Sequence, residues 1–102
     1  MKRAAKPETN LRNAIREALL RCGVLVFTNA QVGRTHHGGL GPGSPDLVAV
    51  VRGRFVGLEV KTEDGEPSAN QLAWGEQLTE HGGAYFIVRS VEEAVAVVRG
   101  AG

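Results

Sequence analysis

Two apolar segments joined by a short polar link constrain the fold more than any other feature of this sequence. They span residues 47–51 and 55–60, and both are rich in valine, which favours β-strands. Gly53 lies in the link and can adopt the positive φ that a tight hairpin turn requires. We therefore predict a β-hairpin at the centre of the chain.

The predicted hairpin brings three charged side chains together. When the turn is centred between residues 52 and 53, Asp46 lies opposite Glu59 across the two strands. Side chains alternate between the faces of a strand, so Glu59 and Lys61 share a face. Opposed carboxylates destabilise a sheet unless a positive charge neutralises them. A divalent cation is therefore the expected occupant of this patch.

The hairpin carries the pattern written PD-(D/E)xK, as Pro45-Asp46 followed after twelve residues by Glu59-Val60-Lys61. The pattern suits metal-dependent hydrolysis of a phosphodiester, because carboxylate oxygens are the ligands that Mg²⁺ and Mn²⁺ prefer. Asp46 and Glu59 are the predicted metal ligands, and the carbonyl of Val60 adds a backbone oxygen. Lys61 is placed to orient the attacking water or to stabilise negative charge in the transition state. The alternative is a chance match in which Glu59 and Lys61 form only a surface ion pair.

The rest of the chain is predicted to form helices and strands around this hairpin. Apolar residues at three- and four-residue spacing predict an opening helix, with Glu8 at its buried edge. A serine-capped helix and a further apolar run follow the hairpin. An antiparallel hairpin beside strands that a helix joins implies an α/β fold with a mixed β-sheet flanked by helices. The predicted order is α-β-β-β-α-β-α, with elements at residues 8–22, 24–28, 47–51, 55–60, 68–81, 84–89 and 91–98.

Composition limits the classes of function that fit this chain. Its 102 residues allow a single domain, in which we expect residues 1–6 to be flexible. The net charge of +1 excludes a polycation, so affinity for nucleic acid must come from local patches. The single cysteine, Cys22, cannot form an internal disulfide, and no segment is apolar enough to span a bilayer. We therefore expect a cytoplasmic protein.

Residues 29–44 form a long stretch without a helix or strand pattern. The stretch contains five glycines together with Arg34, His36 and His37. Loops of this length within a compact domain commonly carry function. These three side chains are therefore the predicted contacts to the backbone phosphates of a nucleic acid.

With these motifs the sequence resembles the PD-(D/E)xK nuclease superfamily, and within it the virus-type replication-repair nuclease (VRR-NUC) domain. The resemblance covers nearly the whole chain and implies a restriction-endonuclease-like core. The matching segments are the opening helix with Glu8, Gly43–Leu47, Glu59–Lys61, Gln71 with an aromatic residue three positions on, and Val88–Ser90. By this resemblance, Asp46 and Glu59 hold the metal and Lys61 is the catalytic lysine. Glu8 is then an outer carboxylate near the metal, and Gln71 points into the catalytic site from its helix.

The resemblance also implies a metal-dependent, structure-selective DNA endonuclease of DNA repair, with Mg²⁺ or Mn²⁺ as cofactor. Family members occur in phages and bacteria as small stand-alone nucleases, which implies the cytosol of a bacterium or phage host. Branched DNA such as a four-way junction is the expected substrate, and a homodimer would present two sites to it. Trp74 and the valines of residues 91–98 are the predicted apolar contacts of that dimer.

Three alternatives differ from this prediction in mechanism or in class of protein. The first is a monomeric nuclease that cuts flaps or duplexes. The second is a non-catalytic nucleic-acid-binding module of the same fold, although the complete set of Asp46, Glu59 and Lys61 argues against it. The third is a small structural or regulatory protein in which the motif has arisen by chance.

Overall fold

The computed structural model of the protein describes residues 7–29 and 40–101. Within these two segments the elements follow one another as α1 Pro7–Arg21, β1 Leu25–Thr28, β2 Leu47–Val51, β3 Arg54–Val60, α2 Ala69–Glu80, β4 Ala84–Val88 and α3 Val91–Ala101. This order confirms the predicted fold class. Residues 1–6, as well as Arg34, His36 and His37, lie outside the described residues. No helix of the described segments is long and apolar enough to cross a membrane.

The described strands form a mixed sheet in the order β1-β2-β3-β4. β1, β2 and β3 are antiparallel neighbours, whereas β3 and β4 run parallel with α2 as the crossover between them. The hairpin of β2 and β3 turns at Arg52 and Gly53, whose φ angles of 52° and 80° are typical of a two-residue type I′ turn. Leu47 pairs with Leu58, which confirms the predicted register. The two motif carboxylates occupy the next opposed positions along this hairpin.

One face of the sheet carries the hydrophobic core and is covered by α1 and α3. Alternate residues of each strand point to this face, where Val26, Ala49 and Val56 occupy neighbouring positions. Ile15 and Leu19 of α1 are fully buried in the same core. The buried residues of α3 are Ala94, Val98 and Ala101. This packing holds α1 across the sheet, and the first turn of α1 reaches the charged end of the hairpin.

The opposite face is covered by α2 over β3 and β4. Gly75 of α2 lies directly against the ring of Tyr85 on β4, where a Cβ atom would overlap the ring. Among the described residues, Leu25 and Phe27 on the edge strand β1 remain 57% and 49% exposed. α2 therefore shields the half of this face that includes the end of β3, and leaves the β1 side open.

The valines of α3 and Trp74, which the sequence predicts as the apolar contacts of a dimer, also make contacts within the fold, and their role in a dimer stays a prediction. Val91, Val95 and Val97 pack against the core. Trp74 of α2 contacts Phe55, with ring centroids 6.4 Å apart. These residues stabilise the fold, because the helices that carry them lie with their apolar sides against the sheet.

Candidate active site

Three carboxylates from distant parts of the chain meet at the charged end of the hairpin. Glu8 lies in the first turn of α1, Asp46 immediately precedes β2, and Glu59 is the penultimate residue of β3. Each offers a carboxylate oxygen, and these oxygens lie within 4.8 Å of one another. We call Glu8, Asp46 and Glu59 the acidic triad.

Backbone contacts hold Asp46 in place. Its Oδ2 atom accepts a hydrogen bond of 2.9 Å from the backbone N–H of Val60, and its carbonyl accepts one of 2.8 Å from the N–H of Asn29. Pro45 is buried against Gly57, where a Cβ atom would come within 2.8 Å of the proline Cγ atom. The proline of the motif therefore packs on the neighbouring strand, and this contact positions the aspartate that follows it.

Glu59 is almost fully buried, with 1% of its surface exposed. Its Oε2 atom accepts a hydrogen bond of 2.9 Å from Nε2 of Gln71 and lies 3.7 Å from Nζ of Lys61. Its Oε1 atom is buried and has no hydrogen-bond partner among the described residues. The alternative in which Glu59 and Lys61 form only a surface ion pair therefore does not hold, because the Lys61 side chain is also mostly buried, with 14% of it exposed.

The pKa of Glu59 is raised from 4.5 to about 8, and the largest cause is burial, which disfavours the charged carboxylate. The negative charge of Asp46 contributes to this increase, the positive charge of Lys61 opposes it, and Glu8 makes a smaller contribution. Two further carboxylates beside a buried one are unfavourable in the absence of a compensating positive charge. The triad therefore requires a proton or a cation at neutral pH.

The acidic triad fits a divalent cation on two counts. Its donors are carboxylate oxygens, which suit Mg²⁺ or Mn²⁺ and disfavour soft metals. The unpartnered Oε1 atom of Glu59 is a buried acceptor that no described donor satisfies, and buried polar atoms without a partner are uncommon in folded proteins. A cation among these oxygens would satisfy that acceptor and offset the repulsion between the carboxylates.

Lys61 is held by the connector that follows β3. Its backbone N–H donates to the carbonyl of Val88 at 3.1 Å, which extends the pairing of β3 and β4 by one residue. Nη1 of Arg89 donates to the carbonyls of Thr62 and Gly65 at 2.8 and 2.7 Å. The connector is therefore pinned to the end of β4, and the lysine is positioned beside the triad.

The structure brings together the side chains that the sequence singled out for the site. Glu8, Asp46, Glu59, Lys61 and Gln71 lie in one cluster, and Gln71 also completes the N-terminal capping box of α2 with Ser68. Val60 contributes its N–H to Asp46, and metal binding by its carbonyl stays a prediction. The phosphate contacts predicted for residues 34, 36 and 37 also stay predictions.

Sequence reasoning missed three residues at this end of the sheet. Arg12 lies one turn after Glu8 on α1 and lines a cleft beside Asp46. Asn29 also lines this cleft. The Tyr85 hydroxyl is buried with no described hydrogen-bond partner, and burial, Glu59 and Asp46 together raise its pKa to about 12. The four-residue spacing from Glu8 could have indicated Arg12, whereas the other two positions depend on tertiary packing.

No family model matches the sequence, and no curated protein matches it. The fold is nevertheless similar to two solved structures. One, described as a VRR_NUC domain, is 27% identical and superposes with a TM-score of 0.70 over 93% of this chain and 97% of that chain. The other, described as a VRR_NUC domain protein, shares the fold at 16% identity and a TM-score of 0.67, over 97% of this chain and 90% of its own. The chain therefore has the fold of the VRR-NUC domain, a nuclease domain of the PD-(D/E)xK type, and the resemblance predicted from its motifs is confirmed.

Proposed function

We propose that the protein is a metal-dependent, structure-selective DNA endonuclease that hydrolyses phosphodiester bonds. The observation that supports this most strongly is the acidic triad with its unpartnered buried oxygen on Glu59, next to Lys61, in a VRR-NUC fold. A chance motif would not be expected to gather a carboxylate from α1 as well as both hairpin carboxylates. It would also leave the Oε1 atom of the buried Glu59 without a partner.

Each residue of the site has a role that follows from its contacts. Glu8, Asp46 and Glu59 would hold Mg²⁺ or Mn²⁺, with the carbonyl of Val60 as a further ligand. When bound, the metal polarises the scissile phosphate and lowers the pKa of a bound water. Lys61 would orient that water or stabilise the negative charge that develops on the phosphate.

Gln71 would act through Glu59. Its side-chain amide donates to Oε2 of Glu59 while its carbonyl oxygen accepts from the N–H of Ser68, so both ends of the amide are held. A glutamate held in this way presents its remaining oxygen in a fixed direction. Gln71 would therefore orient Glu59, as a metal ligand, from its position on α2.

The test is a nicking assay with metal titration, comparing the wild type with Asp46→Asn. The variant should cleave at least about a hundredfold more slowly, as expected for loss of one major electrostatic contributor. Asp64→Asn is the matched control, because Asp64 is an exposed aspartate in the connector after β3. Full activity of Asp46→Asn, or cleavage in excess EDTA, would contradict the proposal. DNA binding without any cleavage would instead favour the non-catalytic module.

We propose branched DNA, with the four-way junction as the preferred form, as the substrate of a homodimer. A net charge of +1 supports this, because one small subunit with little charge would bind DNA weakly. Two sites related by a two-fold axis can cut two strands of a two-fold symmetric junction at related positions. A panel of junctions, flaps and duplexes tests the preference, and paired incisions on the junction are expected. Single incisions on flaps alone would favour the monomeric alternative.

The edge strand β1 is the best candidate for the dimer surface. Leu25 and Phe27 are exposed on the sheet face that α2 leaves open. Exposed apolar edge strands are unfavourable unless a partner covers them. Light scattering at micromolar concentration should therefore give a dimer for the wild type and a monomer for Phe27→Asp. Leu20→Asp, at an exposed leucine of α1, is the control that should stay dimeric. A monomeric wild type would overturn the dimer.

A further inference from the structure

A polar cleft of about 510 Å³ lies beside Asp46. It is lined by Arg12 of α1, by Asn29 after β1, and by the turn of residues 41–44 that precedes the motif proline. Asp46 also belongs to the acidic triad, so the cleft and the candidate metal site share one wall. A ligand in the cleft would therefore lie next to a group bound at the triad.

The wall formed by Asn29 and the turn is internally satisfied. Nδ2 of Asn29 donates to Oγ of Ser44 at 2.9 Å and to the carbonyl of Pro45 at 2.8 Å, while its Oδ1 atom accepts from the N–H of Leu40 at 3.0 Å. Oγ of Ser44 donates in turn to the carbonyl of Gly41 at 2.6 Å. These hydrogen bonds give the cleft a defined shape, and the side chains of Asn29 and Ser44 need no further partner.

Arg12 differs from the rest of the lining. Its Nε atom is buried and has no hydrogen-bond partner among the described residues. The ion pairs found within residues 7–29 and 40–101 are Arg16 with Glu17 and Lys61 with Glu59, so no described carboxylate forms a direct ion pair with Arg12. A buried charged donor without a partner is unfavourable. Guanidinium groups pair strongly with phosphate oxygens, often through two parallel hydrogen bonds.

We propose that this cleft binds a phosphate group of the DNA strand next to the scissile phosphate, with Arg12 as its ligand. The proposal rests on the proposed nuclease function, because the triad defines where the scissile phosphate lies. An anion in the cleft would pair with the Arg12 guanidinium, which lines the cleft and has no ion-pair partner among the described residues. It would also fix the direction in which the strand crosses the triad. The phosphate can be internal to the strand or terminal, since both present the same oxygens to the guanidinium.

The test is binding of DNA in which single phosphates are replaced, one position at a time, by neutral methylphosphonate. Binding is measured by fluorescence anisotropy in Ca²⁺, with gels to verify that the DNA stays uncut. For the wild type, one replacement near the cut position should weaken binding by about tenfold or more, as expected for a charge-assisted hydrogen bond. In Arg12→Gln that position should lose its effect, and binding to unmodified DNA should fall by the same factor. The same scan with and without a 5′-phosphate assigns the cleft to an internal or to a terminal phosphate.

Arg16→Gln is the matched control, because it removes the same charge from a half-exposed position one turn further along α1, outside the lining of the cleft. It should keep the wild-type pattern of sensitive phosphates. Arg12→Lys keeps the charge without the guanidinium geometry, so it should retain the salt dependence of binding and show a weaker effect at the sensitive position. Circular dichroism of each variant verifies that it is folded.

Two results would overturn the proposal and are distinguishable. If Arg12→Gln and Arg12→Lys keep the wild-type pattern while the wild type cleaves in a metal-dependent way, the cleft does not bind phosphate and the nuclease function stands. If the wild type neither binds nor cleaves DNA, the nuclease function fails and the cleft proposal fails with it.

Discussion

Replacement of Glu59 by glutamine should stabilise the metal-free protein while it abolishes cleavage. The amide introduced by Glu59→Gln has the same shape as the carboxylate. Its oxygen can still accept from Gln71, and its NH₂ group can donate towards Asp46, which removes one repulsion between carboxylates. The change also removes the 3.7 Å ion pair with Lys61, which offsets part of the gain.

The size and the pH dependence of this effect follow from the raised pKa of Glu59. In the unfolded chain the group ionises near 4.5, whereas in the folded protein it keeps its proton up to a pKa of about 8. The folded state binds more protons in this window, so its stability falls as the pH rises from 4.5 through 8 and is constant above it. Each unit of pKa corresponds to about 1.4 kcal/mol, so the ionised carboxylate disfavours folding by a few kcal/mol at most. Because Glu59→Gln also loses the ion pair with Lys61, we expect the variant to be more stable than the wild type by about 1 to 3 kcal/mol at pH 8.5.

Thermal unfolding in EDTA at pH 5 and pH 8.5 measures this difference. A stabilisation of about 1 kcal/mol corresponds to about 4 to 8 °C in Tm for a domain of this size, so the shift at pH 8.5 should be clear. It should be small at pH 5, where Glu59 is protonated in the folded wild type. Mg²⁺ should raise the Tm of the wild type more than that of the variant, because the cation relieves the same repulsion. Glu63→Gln, at an exposed glutamate of the connector, should change neither value.

Two outcomes would refute this reasoning. A Glu59→Gln protein that is less stable than the wild type at pH 8.5 in EDTA would show that the buried carboxylate is compensated without a cation. An increase in Tm of equal size at both pH values would show that the gain comes from packing rather than from removal of a charge.

Three further predictions concern residues around the triad. Lys61→Ala should fold and bind DNA but cleave it about a hundredfold more slowly. A normal single-turnover rate in this variant would show that Lys61 contributes to DNA binding and not to the chemical step. Gly57→Ala should lower stability by about 1 to 3 kcal/mol in urea unfolding, because its methyl group displaces Pro45, whereas Gly100→Ala, with open space at its Cβ position in α3, should be neutral or stabilising. Arg89→Met should release the connector after β3 and lower kcat while the Tm increase on adding Mg²⁺ persists. Loss of that metal-dependent increase would mean that Arg89 supports the triad itself.

The hairpin and its register could be predicted because they depend on residues close together in the chain. A turn residue that tolerates positive φ and two valine-rich runs determine which residues pair, and the pairing opposes Asp46 and Glu59. The amphipathic period of α1 placed Glu8 on the side of the helix that packs inward. The serine cap of α2 predicted where that helix begins.

The sequence alone could not determine how these elements meet. The position of β4 beside β3, the packing of α1 and α3 on one face, and the packing of α2 on the other depend on contacts between distant residues. These contacts bring Glu8 to the hairpin carboxylates and turn Gln71 towards Glu59. They also bury the unpartnered donor of Arg12, which no local pattern predicts. The sequence by itself thus determined which residues form the site, through local periodicity and turn chemistry. Tertiary packing decided the distances between these residues, their burial and their pKa values, because each of these quantities depends on atoms from several elements.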